Sequence, residues 1–425
     1  RIDHLHDGMG LVTQHVALSS EFEQSMQSIK SHMALPYWDY TIDGEYIRTT
    51  SGSDRQGHEE STLFLNSELF TVKWFGRTDS ESHVVTEGPF AYQEIPRQYK
   101  NISVRSPYGF LRAPWNINPS KYVTRYHKLC GEKVDAVETS NTILSWPNCA
   151  VHLGVTNSDE TWYYWGMNIG YTPHGPVHAW VGGVGGMCDT TWDEMHHKGW
   201  INIKQLHLMK FQAFQILKNM WRAQVIETPK YCSPDTNVSQ CMWTCATDKD
   251  GNGVTTLSYV QEYFTDNFEI SAENKHYDEI INRVLCETPF WPGDQLEAAS
   301  PVDISFWPIH PTIDRLLQYK HLVRPFRDNV WPNSSTDNCV SGGDCKGHNA
   351  YDLTYFRTTY YDSSEKTYKS SYITNEEVRS NHYPNSAYAA SFIYEDFLWD
   401  HCEDTGHRFK SVNESDAKSV ASALC

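Results

Sequence analysis

The sequence predicts a mainly α-helical core with long loops, a helical insertion and an irregular, strand-containing C-terminal region. Three observations carry that expectation. Near the start, His15, Leu18, Phe22, Met26, Ile29 and Met33 follow one another at three- and four-residue steps, the spacing of one helix face. Ala34-Leu35-Pro36 should close this helix, because the residue before a proline is pushed out of the α region. A short helix is expected over His174 to Val181, stopped by Gly182-Gly183, and a third after Pro311, a residue suited to a first helical turn. Residues 187–297 then read as an insertion with an amphipathic helix from about Ile203 to Val225 and a second near Leu257 to Phe268.

Residues 42–170 scatter Gly, Pro, Ser and Asn between short apolar pieces, which predicts ordered loops with a few strands. From about 335 onward, Gly, Ser, Asp, Tyr and cysteine pairs predict an irregular region with strands. The expected organisation is therefore a core of 1–186 and 298–335, an insertion of 187–297 and a disulfide-containing C-terminal region of 336–425. A chain of 425 residues allows either two domains or one large core with insertions, and it shows no internal repeat.

The formal charge of −18, from 53 acidic and 35 basic residues, argues against a nucleic-acid or anionic-membrane partner, since phosphate binding needs local positive potential. No apolar stretch has the length to cross a bilayer. No leader precedes Arg1, so the chain is expected to be already processed, or incomplete at its start. Eleven cysteines, several close in sequence, accompany Asn-x-Ser sequons at Asn101, Asn237, Asn333 and Asn413. Together they point to a secreted, extracellular glycoprotein carrying N-linked glycans, made in an oxidising compartment. The odd count leaves one thiol free or bonded to another chain, and the pairing is open at this level.

Twenty histidines in 425 residues would give roughly one His-x-x-x-His pair by chance, so spacing alone says little about His174 and His178. Residues four apart do share a helix face, where two neutral imidazoles can converge on one metal. Their context is more specific. Pro173-His174-Gly175-Pro176-Val177-His178-Ala179-Trp180-Val181-Gly182-Gly183 resembles the segment of the type 3 copper proteins (tyrosinase, catechol oxidase and haemocyanin) that carries two ligands of the second copper. Phe306-Trp307-Pro308-Ile309-His310-Pro311-Thr312-Ile313-Asp314-Arg315 resembles the family's Phe-x-x-His-His-x-x-x-Asp-Arg segment, placing the third ligand on His310. His15, Phe22, Glu23 and Leu35-Pro36-Tyr37-Trp38-Asp39 resemble the first-copper segment, and His6 precedes His15 by the family's usual nine residues.

The resemblance implies an antiparallel four-helix bundle around a dicopper site, with His6, His15, His174, His178 and His310 as five of six copper ligands. It also implies that Phe22 packs over the site and that Asp314 anchors the third core helix through a buried hydrogen bond or ion pair. The family's sixth ligand lies well upstream of His6, so it is expected in sequence before Arg1, unless the first copper site is defective. The cysteine that forms a thioether in several members is His4 here, which excludes that crosslink. Gly175 stands where strong monophenolases often have Asn, and Ile309 replaces the first histidine of the His-His pair. Both changes point away from phenol hydroxylation and leave diphenol oxidation open.

The implied function is a copper-dependent oxidoreductase that oxidises small diphenols to quinones with O2. The alternatives are a structural glycoprotein of the same fold with a vestigial copper site, in a homo-oligomer or filament, and an oxygen carrier like haemocyanin. A separate pattern, Asp248, Asp250, Asn252 and Gly253, fits positions one, three, five and six of a calcium loop. Tyr259 stands at position twelve where a bidentate Glu belongs, so an Asx-rich turn opening a helix is preferred over calcium. His196-His197 has no partner at useful spacing and should be solvated.

Overall fold

The computed structural model describes residues 4–50, 67–96, 98–99, 102–103, 111–131, 146–158, 161–229, 238–247, 250–340, 342–382, 384, 392–394 and 397–412. Asn101, Asn237, Asn413, Cys232, Cys425 and Asp248 lie outside the described residues. Helix α1 spans Leu11–Ile29, α2 Tyr40–Thr50, α3 Cys149–Ser158, α4 Trp162–Asn168 and α5 Gly175–Gly182. They are followed by α6 Cys188–His197, α7 Ile203–Phe211, α8 Ala213–Arg222, α9 Ser258–Phe268, α10 Tyr277–Asn282, α11 Ile309–Val323 and α12 Asn375–Asn381. Strands among the described residues pair only in antiparallel twos, among them β1 (Val184–Gly186) with β2 (Phe290–Pro292) and β3 (Thr358–Asp362) with β4 (Thr367–Ser371). The chain is thus mainly helical, with small sheets.

Two compact units divide it: Arg1–Thr49, Trp146–Val177 and Trp307–Cys425 form one, Thr50–Ser145 and His178–Phe306 the other. In the first unit α1 packs on α11, whose residues are buried almost from end to end. The first seven residues of α1 are buried on every side because the C-terminal region covers them: Thr13 donates to Asn375 Oδ1 (2.8 Å) and the Tyr355 amide to Gln14 Oε1 (3.0 Å). Helix α1 ends earlier than the stripe predicts. Lys30 turns extended (φ −147°, ψ 104°), Ile29 is 88% exposed, and the Leu35 amide donates back to Glu23 Oε2 at 2.8 Å. Residues 30–35 therefore turn back, tied to the helix by that bond.

Helix α11 starts at Ile309, two residues before Pro311, which lies inside its first turn, where a missing N–H costs nothing. Helices α2, α3 and α4 arise where loops were expected. Cys149-Ala150-Val151-His152-Leu153-Gly154-Val155 offers no polar stripe to betray α3. The short α4 is set instead by a cap, Thr161 accepting from the Tyr164 amide, and by the burial of Trp162 and Trp165. In the second unit the core gathers Trp192, Met209, Ile216, Phe264, Phe268 and Phe290. The long helix expected over 203–225 is two helices, broken at Gln212 (φ −100°, ψ 15°). The stop after the 174–181 segment is seen, Gly183 taking φ +66° before β1.

Candidate metal centre

Each histidine is placed by its local backbone. His15 sits on the second turn of α1, where its Nδ1 donates to the Leu11 carbonyl at 2.7 Å. His174 ends a wide helical turn, Gly170–His174, kinked at Thr172 (φ −150°, ψ 118°), and its Nδ1 donates to the Gly170 carbonyl at 3.2 Å. His310 lies in the first turn of α11. The unit boundary falls inside the continuous α5, so His178 stands one turn beyond His174 on local backbone; its Nδ1 donates to the Gln295 carbonyl at 2.9 Å. A carbonyl only accepts, so these three rings carry their proton on Nδ1 and keep Nε2 as a lone-pair donor.

His174, His178 and His310 are all buried, and one ligand atom from each lies within 4.8 Å of the other two. The two Nε2 atoms of His174 and His310 are 3.4 Å apart. His174 Nε2 carries a lone pair, so the contact is bridged either by a proton on His310 Nε2 or by a cation between the two rings. Ligands about 2.0–2.1 Å from one ion at a tetrahedral angle are about 3.3–3.4 Å apart, so the spacing fits a shared metal. Imidazole suits copper among first-row metals.

His15 stacks on His310 with ring centroids 4.1 Å apart and an interplanar angle of 7°, lies 6.1 Å from His174, and meets His6 at 4.9 Å. All five predicted histidines are thus brought to one locality. Among the described residues His6 and His15 join no group of three ligating side chains. His4 is turned elsewhere, its Nδ1 2.6 Å from the Lys346 carbonyl. A Cβ at Gly175 would sit 3.0 Å from the Gly170 carbonyl, so the wide turn that aims His174 leaves little room for an Asn there.

Phe22 stacks on Trp307 (3.6 Å, 12°), three residues before His310 in sequence. The closing Trp38-Asp39 segment is bound to the start of α11: the Trp38 amide donates to the Pro308 carbonyl (2.9 Å), Thr312 Oγ1 to the Trp38 carbonyl (2.5 Å), and Arg315 pairs with Asp39 (3.2 Å). Sequence reading named both segments but missed this pairing, although an Asp and an Arg in two motifs were its signal. Asp314 accepts from the Tyr394 hydroxyl at 3.1 Å, and burial pushes its carboxyl up to about 7.

A carboxyl whose folded value is raised binds its proton in the native state at pH values where the unfolded chain has lost it. Stability should therefore be greatest below about pH 4 for this group and fall as pH rises from its ordinary 3.8 towards about 7. Urea titrations of copper-free wild type and Asp314→Asn across that window should show a steeper decline in the wild type. Parallel curves would contradict the assignment.

A cleft of 570 Å³ in the second unit, lined by residues such as His83, Tyr126, Lys128 and Trp291, holds none of the five histidines. Concavity without a ligand set does not outweigh three convergent imidazoles. Cys149 and Cys402 approach His401 as a second candidate metal group, but the two sulfurs are joined in a disulfide and are not thiolate ligands. Of the calcium pattern, Asn252 and Gly253 precede a 3-10 turn, Val254–Thr256, and then α9. His196 is half-buried, its Nδ1 3.1 Å from the Ile201 carbonyl, while His197 is exposed.

Residues 3–195 match the family model described as the common central domain of tyrosinase. A tyrosinase of Streptomyces galbus is 30% identical over 164 residues, 38% of this chain and 48% of that protein. A tyrosinase of Streptomyces antibioticus is 29% identical over 179 residues, 42% of this chain and 54% of that protein. The chain thus spans about half the length of the curated relatives it matches.

Proposed function

Because this chain carries a tyrosinase-like type 3 copper domain, we propose that it is a copper-dependent oxidoreductase that oxidises small diphenols to quinones with O2. The observation that carries the reading is the group His174, His178 and His310, buried and converging. These three would hold one copper, and His6 and His15 would contribute to a second. Bound copper would supply the O2 affinity and one-electron redox chemistry that no side chain here possesses. The protein's part is to present unprotonated Nε2 atoms from rings whose Nδ1 protons are engaged by carbonyls.

The four core helices are α1, α3, α5 and α11 in this reading, within a copper-binding core of 1–186 and 298–335. Phe22, stacked on Trp307, closes one side of the centre, and Asp314 tethers α11 to Tyr394. Disulfides Cys130–Cys188, Cys149–Cys402, Cys245–Cys286 and Cys339–Cys345 support secretion. Asn333 is exposed, as a glycan acceptor must be.

Copper-loaded protein should consume O2 with a simple catechol and produce quinone, with little turnover of the matching monophenol. Loaded protein that turns over neither would sink the enzyme reading. Such a result favours the oxygen carrier; failure to load copper favours the structural reading, whose supporting observation is that His6 and His15 join no three-membered ligand group among the described residues.

A further inference from the structure

We propose that Gln295 is a positioning residue that fixes the proton of His178 on Nδ1 and so reserves Nε2 for the metal; the inference rests on His178 being a copper ligand. Asp303 lies three hydrogen bonds from His178. Arg125 holds Asp303 through Nε (2.7 Å) and Nη2 (2.6 Å). Burial pushes the Asp303 carboxyl up, but Arg125 and Ser305 bring it below its ordinary value, so it is an ionised acceptor.

An ionised carboxylate cannot donate. The Ser305 hydroxyl must therefore give its hydrogen to Asp303 Oδ1, 2.9 Å away, as the Ser305 amide also does at 2.9 Å. With that hydrogen committed, Ser305 Oγ can only accept from its other neighbour, Gln295 Nε2, at 2.7 Å. The amide of Gln295 is then oriented: its Nε2 faces Ser305 and its Oε1 faces His178 Nδ1 at 3.1 Å.

Amide orientation is ordinarily a matter of assignment, but here the chain of donors settles it. A flipped amide would set an N–H against the Nδ1–H of His178 and an oxygen against an oxygen with no hydrogen to offer. Water has little access to relieve such a mismatch, since Gln295 is 2% exposed, Ser305 0%, Asp303 1% and Arg125 1%. The Gln295 carbonyl accepts from the same Nδ1, so main chain and side chain of one residue impose one tautomer. Every donor points from His178 towards Asp303.

The test measures copper affinity by competition with a chelator on the full chain, beside the His178 tautomer by nitrogen-15 NMR of copper-free protein. Gln295→Leu is expected to weaken the three-histidine site by about 10–100-fold, the usual effect of removing a partner of a ligating histidine. Ser305→Ala, which frees the amide to turn, should weaken it in the same direction. Copper-free wild type should show the His178 proton on Nδ1. Unchanged affinity in Gln295→Leu, with the ion lost in His178→Ala, overturns the positioning role alone. Retention of that ion in His178→Ala overturns the copper reading beneath it. If Gln295→Leu does not fold, unchanged affinity in folded Ser305→Ala overturns the proposal equally.

Discussion

His178→Ala is expected to remove the copper held by the three-histidine group while the chain still folds. Two imidazoles, His174 and His310, remain, and two nitrogen ligands do not complete the three-ligand set on which the site depends. The lost hydrogen bonds are those of His178 Nδ1 to the carbonyl and side chain of Gln295, which together cost about 1–3 kcal/mol, a fraction of a large core's stability. Metal analysis of purified variant and wild type, loaded under one protocol, gives the answer directly. One ion fewer per chain with an unchanged circular dichroism spectrum is the predicted result. Equal copper content would remove His178 from the ligand set.

Arg315→Ala is expected to be the most damaging surface-preserving change near the site. Its guanidinium pairs with Asp39 at 3.2 Å, donates to the Leu398 carbonyl at 3.1 Å, and lies over the rings of Trp399 (3.9 Å) and Tyr37 (4.4 Å). The Arg315 side chain is 1% exposed and that of Asp39 13%, so truncation leaves a largely desolvated carboxylate without its counter-charge. Losing one partner of a buried pair costs about 3–5 kcal/mol. The same pair ties the Trp38-Asp39 segment to α11, the helix carrying His310, so copper affinity should fall with the urea midpoint. A midpoint within error of the wild type would show that Arg315 adds no net stability through either the ion pair or its ring contacts.

The histidines were legible because metal binding constrains residue type and spacing together. His174 and His178 need one helix turn between them, and His310 keeps its place between Phe306 and Asp314. Helix ends were less legible, because they depend on what covers them. The apolar stripe of α1 runs on to Met33, yet the helix stops at Ile29, which is exposed. Helices α3 and α4 escaped because each is short and its one buried face carries no run of aliphatic residues: α3 buries Cys149, His152 and Thr156, and α4 buries Trp162, Trp165 and Gly166. The roles of Gln295, Tyr394 and the Asp39–Arg315 pair were hidden for another reason: each joins residues far apart in the chain, and no local pattern encodes their meeting.

The most direct test is an X-ray anomalous difference map, recorded at the copper edge on crystals of the copper-loaded full chain. The account predicts a peak among the Nε2 atoms of His174, His178 and His310. Copper bound elsewhere on the chain, with no density between those three rings, would contradict it.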